Sequence, residues 1–286
     1  MKRKLALLFL FILFASNSAW AAPVNISTSN LLNYYDISNS SSYSGSGSSI
    51  SDLGSANNAN TIYGSTTFNS SIGGYLTLDG TSGYIKNIVT SLPSYNVSVF
   101  MWVNPSSFSN SPYFAQFNRY AGTNGTTDKI IFQSDNSGNL YYWEYNGTVF
   151  TITQAGVCTL PTNKWSYIGF VRNGDATSVT TKLFLNGVNC LSATNSTSVD
   201  MNGNSSKVVA LGVNFRDSNS YLSGSIASYA LYGASLDTPT IQANMANSSV
   251  KSLNLGNPSN SKKLSKTNTI TATYSSYQEG LISFYY

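Results

Sequence analysis

Apolar and polar residues alternate with a period of two along most of the chain from about residue 75, the pattern of strands with one buried face. Residues 75–79 alternate and stop at Asp79-Gly80, a tight-turn signal. Residues 84–88 repeat the alternation, and residues 96–103 run up to Asn104-Pro105, where proline ends ladder pairing. Runs at 129–133 and 140–145 flank the turn Asp135-Asn136-Ser137-Gly138, and Asn146-Gly147 leads into 148–152. Further runs are predicted at 165–172, 182–185, 188–191 after Asn186-Gly187, 208–213 and 225–232. Only 239–245 has helical character, with Asp237 or Thr238 as cap and Pro239 near the first position. Many short strands and almost no helix predict an all-β antiparallel sandwich.

The stretch SSYSGSGSSISDLGSANNAN, residues 41–60, breaks this pattern. Its sizeable apolar side chains are Tyr43, Ile50 and Leu53, so composition alone allows either a spacer or an ordered edge. The chain also opens differently. A basic Met1-Lys2-Arg3-Lys4, an apolar run over 5–15 and the small-residue triplet Ala19-Trp20-Ala21 predict a secretory signal over 1–21, with the domain over 22–249. That apolar run is too short to span a bilayer. Export changes the reading of the two cysteines, Cys158 and Cys190, which then fit one disulfide rather than two buried thiols.

Charge narrows the function classes. The 15 basic and 11 acidic residues leave residues 22–249 with 8 basic and 10 acidic groups, because the other cations sit at the two ends. A weakly acidic body carries no electrostatic footprint for nucleic acid. The 20 tyrosines and 14 phenylalanines supply a large core and potential stacking surfaces, and histidine is absent.

Read together, GGYLTLDGTSGYI, NVSVFMWVNP, NKWSYIGFVRNG, TKLFLNGVNC, ALGVNF and YLSGSIASYALYGASLDTPTIQANM resemble the laminin-G-like branch of the concanavalin A-like lectin/glucanase superfamily. The features that carry the resemblance are Asp79-Gly80, Trp102, Trp165, Leu183-x-x-Asn186-Gly187 and the closing Gly224-Ser225-Ile226 through Tyr232. It implies a concanavalin A-like jelly roll of two packed sheets, with Trp102 and Trp165 in the core. The upstream segment resembles the start of such domains, with an Asp-containing strand and the turn Ser42-Tyr43-x-Gly45-Ser46-Gly47. Residues 41–60 are therefore expected to be ordered. Gly45, Gly47 and Gly54 would provide unusual backbone angles, and Asp36 and Asp52 would hold turns through Asx hydrogen bonds.

The resemblance also frames the candidate chemistry. Superfamily glucanases carry closely spaced carboxylates on one strand face. Here Glu144 has no acidic neighbour within four residues, so a non-enzymatic role is expected, with a Glu144-dependent glycosidase as the minor alternative. Calcium would be held by Asp52 with Asn57, Asn58 and Asn60, or by Asp217 in the 214–219 loop; Ala227-Ser228 replaces an acidic pair frequent in relatives, which weakens the carry-over. Sugar recognition needs exposed aromatic faces beside polar groups. Tyr141, Trp143 and Tyr145 share one strand face, although Trp143 could equally pack between sheets. Phe215 beside Asp217, and Tyr113, Tyr120 and Tyr221, are further loop candidates. The expected partner is a glycan or a cell-surface protein, in attachment or as part of an extracellular assembly. Beyond 249 a polar, lysine-bearing stretch reads as a linker, followed by strand-like alternation over 268–286. That last strand could close its own sheet, begin another module or add to a neighbouring subunit.

Overall fold

The computed structural model describes residues 26–248, apart from 59, 71–72, 90–91, 120–128, 146–148, 197, 203–206 and 215–218. The signal expected at 1–21 and the tail expected at 250–286 lie outside the described residues. The elements run β1 (Leu31–Asp36), β2 (Ser49–Ile50), β3 (Asn60–Tyr63), β4 (Thr66–Asn69), β5 (Tyr75–Asp79), β6 (Tyr84–Val89), β7 (Val97–Pro105) and β8 (Tyr113–Arg119). They continue as β9 (Lys129–Ser134), β10 (Leu140–Tyr145), β11 (Val149–Ile152), β12 (Ser166–Gly174), β13 (Val179–Leu185), β14 (Val188–Asn195), β15 (Lys207–Leu211), β16 (Ser223–Tyr232) and α1 (Thr238–Asn247). Two eight-stranded antiparallel sheets face each other. The first has the order β14-β13-β12-β7-β16-β5-β4, with β1 also paired to β16; the second has β11-β10-β9-β8-β15-β6-β3-β2. The expected antiparallel sandwich is the observed fold.

The inter-sheet core is built by alternation. Val99, Met101, Val103, Ile168 and Phe170 of the first sheet meet Ile85, Phe117, Phe132 and Tyr142 of the second. Trp102 and Trp165 do not join them. Because Met101 and Val103 take the inner face of β7, period two turns Phe100 and Trp102 outward. On that outer side Tyr167, Phe184, Ala227 and Ile241 of α1 bury them, with Trp165 partly buried at the margin. Trp102 is only 4% exposed and its indole N–H donates to Ser248 Oγ at 2.6 Å. Its motif position demands burial, but the helix supplies that burial rather than the second sheet.

Helix α1 starts where a polar cap can accept its free N–H groups: Asp237 accepts from Thr240 N at 2.9 Å. Buried Asn244 docks it, accepting from Ser27 N at 2.8 Å and donating to the Tyr232 hydroxyl at 3.0 Å. Asn244→Ala would strand both groups, so urea titration should show a loss of about 1–3 kcal/mol. An unchanged midpoint would mean that apolar contact alone seats the helix. Among the described residues no helix is long and apolar enough to cross a membrane.

The serine-rich stretch is an ordered edge. β2 pairs with β3, and Tyr43 and Ile50 enter the core. Gly45 and Gly47 have φ of 90° and 80°, as a tight polar turn requires. Gly54 is needed for a different reason than expected: its φ is ordinary, but a Cβ there would lie 2.5 Å from the Leu32 carbonyl oxygen. The sequence pattern predicts no strand over residues 106–128 and puts Tyr113 in a loop. Instead Tyr113 begins β8, where a register shift between Tyr113 and Ala115 interrupts the alternation.

Candidate functional site

The outer face of the second sheet carries the exposed chemistry. On β10, Leu140, Tyr142 and Glu144 point into the core, while Tyr141, Trp143 and Tyr145 are half-buried on the opposite face. The reading of Trp143 as an inter-sheet residue is thereby replaced by its outward position, because Tyr142 takes the inner one. The Trp143 and Tyr145 rings lie nearly parallel at 9°, with centroids 6.0 Å apart. Across the ladder Tyr141 faces Gln133 and Trp143 faces Ile131. Gln133 Oε1 is shielded and accepts no hydrogen bond among the described residues. Aromatic rings that share one outward strand face suit stacking against a sugar ring.

Glu144 is not part of this surface. It is 1% exposed and pairs with Arg172 of β12, which is 0% exposed, at 3.2 Å. The Tyr142 hydroxyl donates to Glu144 Oε2 at 2.9 Å, and Asn195 Nδ2 and Ser198 Oγ donate to Oε1. Arg172 Nη2 also donates to Ser198 Oγ and to the Val199 carbonyl, the latter at 2.9 Å. The carboxylate the glycosidase alternative needed is thus enclosed between the sheets and holds them together.

Of the candidate calcium residues, Asp52 spends its carboxylate on the protein's own donors. Asp52 Oδ1 accepts from Tyr34 N and Gly54 N, both at 2.8 Å; Oδ2 accepts from Asn33 Nδ2 at 2.8 Å and Asn58 N at 2.9 Å. Those four donors pin the 53–58 loop to β1, as the Asx reading expects. Asn57 sits in the left-handed region at φ 48°. Tyr120, Phe215 and Asp217 lie outside the described residues. Asn214 flanks the last two, accepting from Gln116 Nε2 at 3.4 Å and donating to Asn219 Oδ1 at 2.9 Å. Among the described residues no three acidic, cysteine or histidine side chains converge.

A second aromatic group was missed. Tyr63 on β3 and Tyr84 on β6 stack at 4.9 Å and 9°, Tyr84 lies 6.4 Å from Tyr221, and the Lys86 ammonium is 4.8 Å from the Tyr63 ring centre. Only Tyr221 was a candidate from sequence. The available signal was the outward pair Tyr84-x-Lys86, which the Asp-Gly strand beside it overshadowed.

The family model described as the concanavalin A-like lectin/glucanases superfamily, Laminin_G_3, matches residues 79–242. Domain 4 of AbnA, an extracellular GH43 arabinanase of Geobacillus stearothermophilus solved with arabinotriose, is 21% identical with a TM-score of 0.59, over 76% of this chain and 98% of that one. The receptor binding domain of botulinum neurotoxin C/D mosaic serotype is 14% identical with a TM-score of 0.55, over 77% and 51%. The binding domain of Paraclostridial Mosquitocidal Protein 1 is 13% identical with a TM-score of 0.52, over 76% and 52%. The chain spans about half the length of each toxin chain, and at such identities the likeness is one of fold. No curated protein matches it in sequence.

Proposed function

The chain belongs to the concanavalin A-like lectin/glucanases superfamily, and from that premise we propose that it is an exported, non-catalytic carbohydrate-binding module acting in attachment to a glycan-bearing surface. The observation that carries this reading is the row Tyr141, Trp143 and Tyr145, half-buried on the outward face of β10 beside Gln133. Enclosure of Glu144 supports a binding rather than a hydrolytic role. The Cys158–Cys190 disulfide supports export. The arabinanase domain, solved with a trisaccharide, and the receptor-binding toxin domains lend the fold a precedent for ligand capture.

The test is calorimetry against neutral and acidic oligosaccharides, arabinotriose included, with and without calcium. Trp143→Ala should weaken whichever saccharide binds by roughly thirtyfold, about 2 kcal/mol, through loss of a stacking face. Binding by none of the panel, or equal binding by the variant, overturns the reading. Release of reducing sugar by the purified protein would overturn its non-catalytic part.

A further inference from the structure

The tyrosine group on β3 and β6 lies apart from the β10 row and opens onto a feature of its own. Tyr84 and Tyr221 pack on Val208, Ala210 and Val213, all buried, which gives those two rings a firm apolar bed. Tyr221 continues from Tyr84 into an open cleft of about 490 Å³, walled also by Gly80, Thr81, Asn110, Asn219 and Ser220.

Three connections meet to form that cleft: the β5–β6 turn, the β7–β8 loop and the run into β16. Each wall is internally tied. Asp79 accepts five hydrogen bonds, from the backbone N–H groups of Thr81, Ser82 and Gly83 and from the Thr81 and Ser82 hydroxyls. Partial burial alone would raise its carboxyl, but those donors outweigh it and hold it well below the usual carboxylate range. In the second wall, Ser111 N donates to the Phe108 carbonyl at 3.0 Å and Ser111 Oγ to Asn136 Oδ1 at 2.7 Å. In the third, Asn214 N donates to the Asn219 carbonyl at 3.0 Å and Tyr113 N to the Ser220 carbonyl at 3.2 Å.

The lining chemistry selects a ligand class. Among the described residues the wall side chains offer hydroxyls and amides beside a tyrosine face and carry no charge. Hydroxyl and amide groups around a stacking ring match a polyhydroxylated ring, whereas a phosphate would need a cation or a cradle of N–H groups. We infer that this cleft is a second carbohydrate subsite, taking a neutral sugar unit, so that one module grips a glycan chain at two places. The inference rests on the β10 reading. β6 lies four strand steps from β10, about 19 Å at roughly 4.8 Å per step. Two weak sites engaged by one glycan chain reinforce each other without new contacts.

Calorimetry with neutral tri- to octasaccharides tests it, using Trp143→Ala, Tyr221→Ala and Asn110→Arg. Asn110 is exposed, so arginine there blocks the cleft without entering the core, and thermal melting verifies the fold. Wild-type protein should take two equivalents of a trisaccharide and each variant one. Each variant should also lose roughly 10- to 100-fold in affinity for the longest chain, with little dependence on salt. One equivalent bound by wild type, abolished by Trp143→Ala and untouched by Asn110→Arg, removes the second subsite and leaves the β10 reading standing. Steep salt dependence of the cleft's equivalent overturns its neutral class, and no binding by wild type removes both.

Discussion

Arg172→Met is expected to lower the free energy of unfolding by about 3–5 kcal/mol, the cost of leaving a buried charge without its partner. Arg172 lies on the first sheet and Glu144 on the second, and both are closed off from water. Removing the guanidinium leaves a carboxylate in the core with only the neutral donors Tyr142, Asn195 and Ser198. Desolvation of that charge then has no opposing attraction. The pair itself is imperfect, since Arg172 Nε and Nη1 have no hydrogen-bond partner among the described residues. The double variant Glu144→Leu, Arg172→Met should recover only part of the loss: both charges and the unmet Arg172 donors go, but the Tyr142 hydroxyl, Asn195 Nδ2 and Ser198 Oγ lose their acceptor. Urea titration of the two single variants and the double variant measures this. A single-variant loss below about 1 kcal/mol would contradict the enclosed-pair account.

Removing the disulfide should be nearly as damaging. Cys158 and Cys190 are bonded across a sequence separation of 32, for which the chain-entropy model gives about 3.7 kcal/mol. The bridge ties the connection after β11, on the second sheet, to β14, the edge strand of the first. Cys158 is fully buried and its carbonyl accepts from Leu140 N at 2.8 Å, so the anchored end is well ordered. A Cys158→Ala, Cys190→Ala double variant should unfold at a clearly lower urea midpoint while keeping the same far-ultraviolet spectrum. Equal midpoints would show that the corner is held by packing alone.

Both effects depend on contacts between sheets, and those are the least legible features of the sequence. Glu144 looks isolated there because its nearest charge lies on β12, far along the chain. Conversely, the two-residue period of β10 is enough to put Tyr141, Trp143 and Tyr145 on one face, and Asp79-Gly80 and Asn186-Gly187 mark real turns. β8 escapes because its register shift breaks the period that reveals strands. The tyrosine cleft escapes because Tyr63, Tyr84 and Tyr221 come from three separate segments.

By itself the sequence determined where most strands from residue 75 onward lie and which residues share a side of each of them. Those properties depend on neighbours a few residues apart, through the two-residue period and the backbone demands of turns. Only the tertiary structure decided which side of a strand faces outward. β7 is buried on both sides, so alternation alone cannot tell the inter-sheet core from the helix-covered face that holds Trp102. Long-range pairing, which joins strands far apart in sequence, decides that and assembles the Tyr63, Tyr84 and Tyr221 group.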